Sequence, residues 1–216
     1  AENTWIIFSS DNGPFLSYGS HAGSSGPLRE GKLTTFEGGV RVPTVMRWPG
    51  KIAASRVCQT PLMTTDLLPT VCQLLGAPLP NKPLDGLDVS DVLFGDATVV
   101  DRTALVFYSG TELHAIRMED WKLHFPHKYL TVNGETRDDG KPAGFGKLKP
   151  KSITESGVEG IASRHGYRVE QLPLSLFNLE LDPGEQTNVA SQYPEIVAKL
   201  SREAGIFRQE LGHALE

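Results

Sequence analysis

Near the start of the 216-residue chain, Trp5-Ile6-Ile7-Phe8 runs apolar without a break and is stopped a few residues later by Asp11-Asn12-Gly13-Pro14. A half-buried strand alternates apolar and polar side chains; a short continuous run suits a strand covered on both faces, as in the middle of a parallel sheet. That reading points to an α/β architecture with layers on either side of the strand. The chain opens on this strand with no initiator Met, basic n-region or cleavage segment, so the expectation is that these residues are the C-terminal portion of a longer protein.

Composition narrows the class further. Hydrophobic residues make up 39% and charged residues 22%, ordinary for a globular chain and unlike collagen, coiled coil or disorder. Lys plus Arg number 21 against 26 Asp plus Glu, a net charge of −5, which argues against a general nucleic-acid binder because counterion release needs a basic footprint. No uninterrupted apolar stretch approaches the ~20 residues of a bilayer-spanning helix. The two cysteines, Cys58 and Cys72, lack a CxxC spacing and so suggest neither a zinc site nor a redox pair.

Along the chain, Ser17 to Gly31 is rich in Gly and Ser and reads as a loop. Gly38 to Met46 reads as a short strand, with Pro43 at its start or at a sheet edge. The clearest helix comes after Thr64 or Thr65 as cap: Leu67, Leu68, Val71, Leu74 and Leu75 share one face, and Gly76 with Pro78 ends it. After about Asp96 the style changes to short strands. Ala104 to Tyr108, Ala115 to Met118, Trp121 to Phe125 and Leu174 to Leu179 form the set, with Glu119-Asp120 as a tight hairpin turn. A helix after Pro194 carries Ile196, Val197, Leu200, Ile206 and Leu211 as an imperfect apolar face. The segment from Pro126 to Pro173, rich in Gly, Lys, Arg and Asp, reads as a long loop: a solvated excursion, or else a lid or subunit contact. Two regions are thus expected, residues 1–96 and residues 97–216, the second with its loop insertion at 126–173.

The chemistry-bearing residues cluster early. Asp11 and Asn12 set a carboxylate and an amide carbonyl side by side where a strand of an open α/β sheet ends, the usual place for a site. Hard cations prefer such oxygens, although Asp-Asn-Gly is also a common turn former and two oxygens fill only part of a calcium shell of about 6–8 ligands.

The next two motifs along the chain are distinctive: Leu28-Arg29-Glu30-Gly31-Lys32, then Phe36-Glu37-Gly38-Gly39-Val40-Arg41-Val42-Pro43. With the preceding strand and Asp-Asn-Gly, this order resembles the sulfatases of the alkaline-phosphatase-like superfamily. The likeness is dense from Trp5 to Lys51. It continues more weakly through Asp66-Leu67-Leu68-Pro69-Thr70, Leu84 to Asp88, Trp121 to Phe125, Leu176 to Leu179, Asp182-Pro183-Gly184-Glu185 and Asn188.

The resemblance implies the C-terminal part of an alkaline-phosphatase-like mixed sheet with flanking helices, then a small antiparallel sheet packed by a C-terminal helix. It implies hydrolysis of a sulfate ester, with Asp11 and Asn12 as late calcium ligands and Lys32 as the catalytic, sulfate-contacting lysine. A divalent ion and an ammonium both stabilise charge growing on the leaving oxygen. His21, in the variable loop, is a further substrate-binding candidate. Arg29, Glu37 and Arg41 read as a structural ion network. The family's nucleophile is a formylglycine made from Cys-x-(Pro or Ala)-x-Arg. Neither Cys58 nor Cys72 fits that pattern. Ser25-Gly26-Pro27-Leu28-Arg29 matches only its bare serine version, with an arginine already used by Leu-Arg-x-Gly-Lys. The nucleophile is therefore expected upstream, and the chain by itself is expected not to turn over substrate.

Expected partners are a sulfated small molecule or glycan, the N-terminal half of the same protein, and in some arrangements a second copy. The expected location is secreted, periplasmic or lysosomal. Two alternatives stay open at this stage: a non-catalytic substrate-binding or assembly module, and a phosphoester or phosphonate hydrolase of the same superfamily.

Overall fold

A computed structural model describes residues 2–155 and 157–210. In chain order the elements are β1 (Ile6–Ser9), α1 (Glu37–Val40), β2 (Thr44–Arg47), α2 (Leu67–Leu75), α3 (Ser90–Phe94), β3 (Leu105–Ser109), β4 (Glu112–Met118), β5 (Trp121–His124), β6 (His127–Val132), α4 (Gly157–His165), β7 (Tyr167–Leu172), β8 (Ser175–Asn178) and α5 (Pro194–Glu210). They gather into two compact units: residues 1–9 with 44–103, and residues 10–43 with 104–216.

In the first unit β1 pairs with β2, and the pairing is antiparallel, Ile6 opposite Arg47 and Ser9 opposite Thr44. The expectation of a buried central strand in a parallel sheet does not hold here. A continuous apolar run says that both faces suit burial; it says nothing about the direction of the neighbour. Within this chain Ile6, Ile7 and Phe8 are 47%, 37% and 74% exposed. Trp5 stacks on Trp48 at 6.2 Å, and Phe94 of α3 meets both indoles edge-on. α2 ends as anticipated, with Gly76 left-handed at its C-terminus. Its N-terminal anchor is stronger than a simple cap. The buried Asp66 carboxylate accepts from the Met63 N–H at 2.7 Å and the Leu87 N–H at 3.0 Å, and pairs with Arg102. Between α2 and β3 the chain forms the one short helix α3. Both cysteines are free thiols.

The second unit is built on a four-stranded antiparallel sheet in the order β3-β4-β5-β8. β4 and β5 are joined at Glu119-Asp120, with Glu119 at φ +53°. On one face α5 lies across the sheet, and Leu113, Ile116, Leu123, Leu176, Leu200 and Ala204 close a core between them. The face of α5 is Ile196, Val197, Leu200, Ala204 and Phe207. Ile206 is turned out at 45% exposure, because an i, i+3/i+4 stripe through Leu200 passes through 204 and 207 and leaves 206 about 120° away. Leu211 lies outside the described residues.

The segment 126–173 is not a loop throughout. β6 and β7 pair antiparallel from His127 opposite Leu172 to Val132 opposite Tyr167, and α4 packs against them through Ala162, beside Leu130 and Tyr167. Charge hid these strands. Arg168 and Glu170 of β7 sit two apart and pair with each other at 2.7 Å in contact with solvent, while Tyr167 packs with Leu130 on one face and Leu172 with Tyr129 on the other.

Candidate active site

All three principal predicted site residues, Asp11, Asn12 and Lys32, belong to the second unit, and backbone contacts hold their two segments together. The Gly13 N–H donates to the Gly39 carbonyl at 2.9 Å, and the Lys32 N–H donates to the Pro14 carbonyl at 2.9 Å. The Gly38 N–H donates to the Arg29 carbonyl at 2.9 Å. These approaches need glycine. A Cβ on Gly13 would sit 1.8 Å from the Gly38 oxygen, and one on Gly39 would sit 2.3 Å from the Thr34 oxygen. The Glu-Gly-Gly sequence therefore ends in the one-turn α1, not in the strand expected from Gly38 onward, and β2 starts after Pro43. Glu30 and Leu33, flanking Gly31-Lys32, take left-handed backbone at φ +55° and +76°. Such conformations cost about 1–3 kcal/mol each and persist where the surroundings over-determine them.

At this crossing three polar side chains make no hydrogen bond or ion pair among the described residues. Neither the Asp11 carboxylate nor the Asn12 carboxamide takes part in a hydrogen bond or ion pair among the described residues; Asn12 uses only its backbone carbonyl, which accepts from Ser10 Oγ at 2.8 Å. The Lys32 ammonium has no carboxylate partner there either, and lies 5.9 Å from the centre of the Phe15 ring. Two adjacent uncommitted oxygens of this kind fit part of a hard-cation shell. They are not a whole one: among the described residues no group of three or more His, Cys, Asp or Glu side chains could hold a metal ion.

Beneath the loop lies a buried ionic core. The Lys122 ammonium donates to Glu37 Oε1 at 2.9 Å and lies 3.2 Å from Glu185 Oε1, and all three side chains are almost completely enclosed. Glu185 Oε2 also accepts from the Glu37 N–H at 2.6 Å, tying the first residue of α1 to the Asp182-Pro183-Gly184-Glu185 turn. His124 Nε2 is 2.8 Å from Glu185 Oε1. Burial pushes the Glu185 carboxyl upward, and the His124 hydrogen bond with the Lys122 ammonium outweighs it, so the group ends below the usual carboxylate range. His124 is driven down to about 4, by burial first, against the pull of Glu185. His127, stacked 3.9 Å from His114, is driven to about 4, again mainly by burial.

Arg29 stacks on Phe36 at 4.1 Å and donates to the Glu185 carbonyl at 2.8 Å and to the Tyr129 hydroxyl at 3.1 Å. So Arg29 and Glu37 do shape the loop as expected. Arg41 does not: it is exposed, and no ion pair of its side chain occurs among the described residues. Its place is taken by Lys122, on a distant strand, which no local pattern around Glu37 could reveal.

His21 is exposed and lines an open cleft with Phe15, Tyr18, Ala22, Gly140 and His165. The Tyr18 hydroxyl is 2.9 Å from His165 Nδ1.

Comparison with known proteins fits this arrangement. Residues 100–214 match the family described as the C-terminal region of aryl-sulfatase, and residues 1–77 match the sulfatase family. The chain belongs to the sulfatases. Human arylsulfatase A is 37% identical over 210 residues, 93% of this chain and 37% of the relative. Dog N-acetylgalactosamine-6-sulfatase is 33% identical over 211 residues, covering 97% of this chain and 38% of the relative. The crystal structure of the PsFucS1 sulfatase from Pseudoalteromonas sp. superposes with a TM-score of 0.71 at 28% identity, covering 98% of this chain and 37% of that one. The chain thus spans a little over a third of the length of the relatives it matches. The mixed α/β fold with its antiparallel C-terminal sheet is the sulfatase fold. No helix among the described residues is long and apolar enough to cross a membrane.

Within this sulfatase region, sequence reasoning missed Tyr18 and His165. They lie 147 positions apart, one in the Ser17 to Gly31 loop and the other in the 126–173 segment read as a long loop. The only available signal was negative: the stretch from Pro126 to Pro173 is too long to stay structureless in a compact domain.

Proposed function

We propose that this chain is the part of a sulfuric ester hydrolase that supplies two calcium ligands, Asp11 and Asn12, and a sulfate-contacting lysine, Lys32. The observation that carries the reading is the crossing of the Asp-Asn-Gly and Gly-Lys segments, which leaves one ammonium and two oxygens uncommitted while the backbone around them is tied. A sulfate monoester is a single anion, and an ammonium without a carboxylate partner attracts it more strongly than a paired one. When bound, calcium would polarise the ester, and a formylglycine contributed from outside this chain would supply the nucleophile.

The chain's own groups take their roles from position. Lys32 holds a sulfate oxygen and opposes the charge that develops as the ester bond breaks. The left-handed turns at Glu30 and Leu33 fix where its stem leaves the backbone. The ionic core of Glu37, Lys122 and Glu185 keeps α1, and with it the Gly13–Gly39 contact, from moving. In this reading residues 1–96 complete the catalytic α/β part and residues 97–216 form the C-terminal subdomain. The exposed Ile6-Ile7-Phe8 strand is covered by the N-terminal half. The substrate is a sulfated small molecule or glycan: steryl-sulfatase and N-acetylgalactosamine-6-sulfatase are both among the relatives, and the Ps i-CgsB structure, 26% identical at a TM-score of 0.64, was determined in complex with k-i-k-neocarrahexaose. By the same family resemblance the protein works in a secreted, periplasmic or lysosomal setting.

The test is sulfate release from p-nitrophenyl sulfate by the full-length protein, with p-nitrophenyl phosphate as comparison. Hydrolysis of the sulfate that is lost in Lys32→Ala supports the reading. Faster turnover of the phosphate, or a Lys32→Ala enzyme as active as wild type, overturns it.

A further inference from the structure

Beside Lys32 lies an open cleft of different chemistry. Its volume is about 470 Å³, within the range of about 300–1,000 Å³ common for small-molecule clefts. It adjoins the lysine through Phe15, whose ring lies 5.9 Å from the ammonium and also lines the cleft. The walls are held in place. Phe15 meets His165 edge-on at 5.3 Å and Tyr167 edge-on at 5.6 Å, and Tyr18 holds His165 at 2.9 Å. The far wall comes from the 137–143 stretch. The Ala143 N–H donates to the Ser17 carbonyl at 2.7 Å, and Ser20 Oγ donates to Asp138 at 2.7 Å, which seats Gly140 against His21.

We propose that this cleft binds the alcohol portion of the sulfate ester as a hydroxylated ring, with Tyr18 and His165 as specificity-determining residues and His21 reading a ring hydroxyl. The inference rests on the sulfate-ester reading of Lys32 and goes beyond it by assigning the residues that choose the alcohol. Aromatic rings offer a face to the C–H side of a sugar, and the three polar heads, a phenol and two imidazoles, match hydroxyl groups that both donate and accept. In the tautomer in which Tyr18 donates to Nδ1, His165 carries its proton on Nε2 and has a donor to give. Burial, reinforced by the neighbouring Arg164, pushes His165 below its ordinary value. A flat apolar alcohol would make no hydrogen bond to these polar heads, whereas a ring hydroxyl gains one.

The experiment compares galactose 6-sulfate and galactose 4-sulfate with p-nitrophenyl sulfate, using full-length wild type, His165→Ala and Tyr18→Phe, with a thermal melt of each. The expected result is a fall in kcat/KM of about tenfold or more on a galactose sulfate, less than about threefold on p-nitrophenyl sulfate, and an unchanged melt. Equal losses on both ester types, no loss on the sugar, or a wild type that hydrolyses p-nitrophenyl sulfate but neither galactose sulfate overturns the inference while leaving the sulfatase reading intact. A wild type inactive on every sulfate ester overturns both. If His165→Ala does not fold, Tyr18→Phe decides, since it keeps the ring and removes only the hydroxyl.

Discussion

The Lys122 ammonium sits 2.9 Å from Glu37 and 3.2 Å from Glu185, with none of the three side chains more than 2% exposed. One buried cation therefore joins β5 to the start of α1 and to the turn after β8. Buried pairs add little net stability over an apolar replacement, but removing one partner strands the other charge. Lys122→Met should destabilise the protein by about 3–5 kcal/mol. The Lys122→Met, Glu37→Gln double variant should lose clearly less than the sum of the two singles, because it strands less charge. Urea unfolding of the four proteins measures the coupling, and strict additivity would contradict the network.

The Gly13 to Gly39 contact makes a second prediction. A methyl on Gly13 would fall 1.8 Å from the Gly38 oxygen, and no side-chain rotation can relieve a clash between backbones. Gly13→Ala should force the Asp11-Asn12 turn away from the Lys32 loop, lowering sulfatase kcat by about 100-fold, the scale of a ~1 Å misplacement. Gly146→Ala is a fair control for a surface glycine, since nothing lies within 4 Å of a Cβ there and its backbone is not left-handed, and should retain activity. Steady-state rates on p-nitrophenyl sulfate separate the two.

Lys32 and Asp11 should fail differently. Lys32→Ala removes a charge that opposes the developing oxyanion and should cost about 10²–10³ in kcat with the calcium requirement unaltered. Asp11→Asn keeps the shape but lowers ligand charge, so the calcium concentration for half-maximal activity should rise by about tenfold or more. Calcium titration after chelator treatment distinguishes them; identical titration curves for wild type and Asp11→Asn would remove Asp11 from the ligand set.

Acid should weaken the second unit. His124 and His127 are held near 4 in the folded protein, against an ordinary 6.5. Their folded values lie below their unfolded ones, so the unfolded chain binds more protons as pH falls, and stability present above pH 6.5 is lost progressively toward pH 4. Glu185, also lowered, acts in the same direction below its ordinary 4.5. Melting temperature should fall steadily between pH 6.5 and pH 4. In His124→Gln, whose amide can still donate to Glu185, that fall should be shallower. A melting temperature flat across this window would show that these imidazoles are not buried and neutral.

The local motifs were legible because their physics is local. Gly76 as a helix end, Glu119-Asp120 as a two-residue turn and the Leu-Arg-x-Gly-Lys to Glu-Gly-Gly order all depend on residues within a few positions of one another. Asp11, Asn12 and Lys32 stood out for the same reason, although their sequence could not say that Gly13 and Pro14 bind the backbone of the second motif. β6 and β7 were lost because charge interrupts both faces of the ribbon, Lys128 on the face of Leu130 and Val169 and Arg168 with Glu170 on the face of Tyr129 and Leu172, so neither face reads as a clean apolar alternation.

By itself, then, the sequence determined the residue types of the site, the order of the motifs and the α/β-then-antiparallel character of the chain. Tertiary structure alone decided that β1 pairs antiparallel with β2, that Lys122 rather than Arg41 neutralises Glu37, and that Tyr18 meets His165. The pairing of Glu37 with Lys122 spans 85 positions and that of Tyr18 with His165 spans 147. Partners so far apart are chosen by how sheets and loops pack, since a buried charge or phenol takes whichever complementary group the fold brings within reach, and no spacing in the sequence encodes that distance.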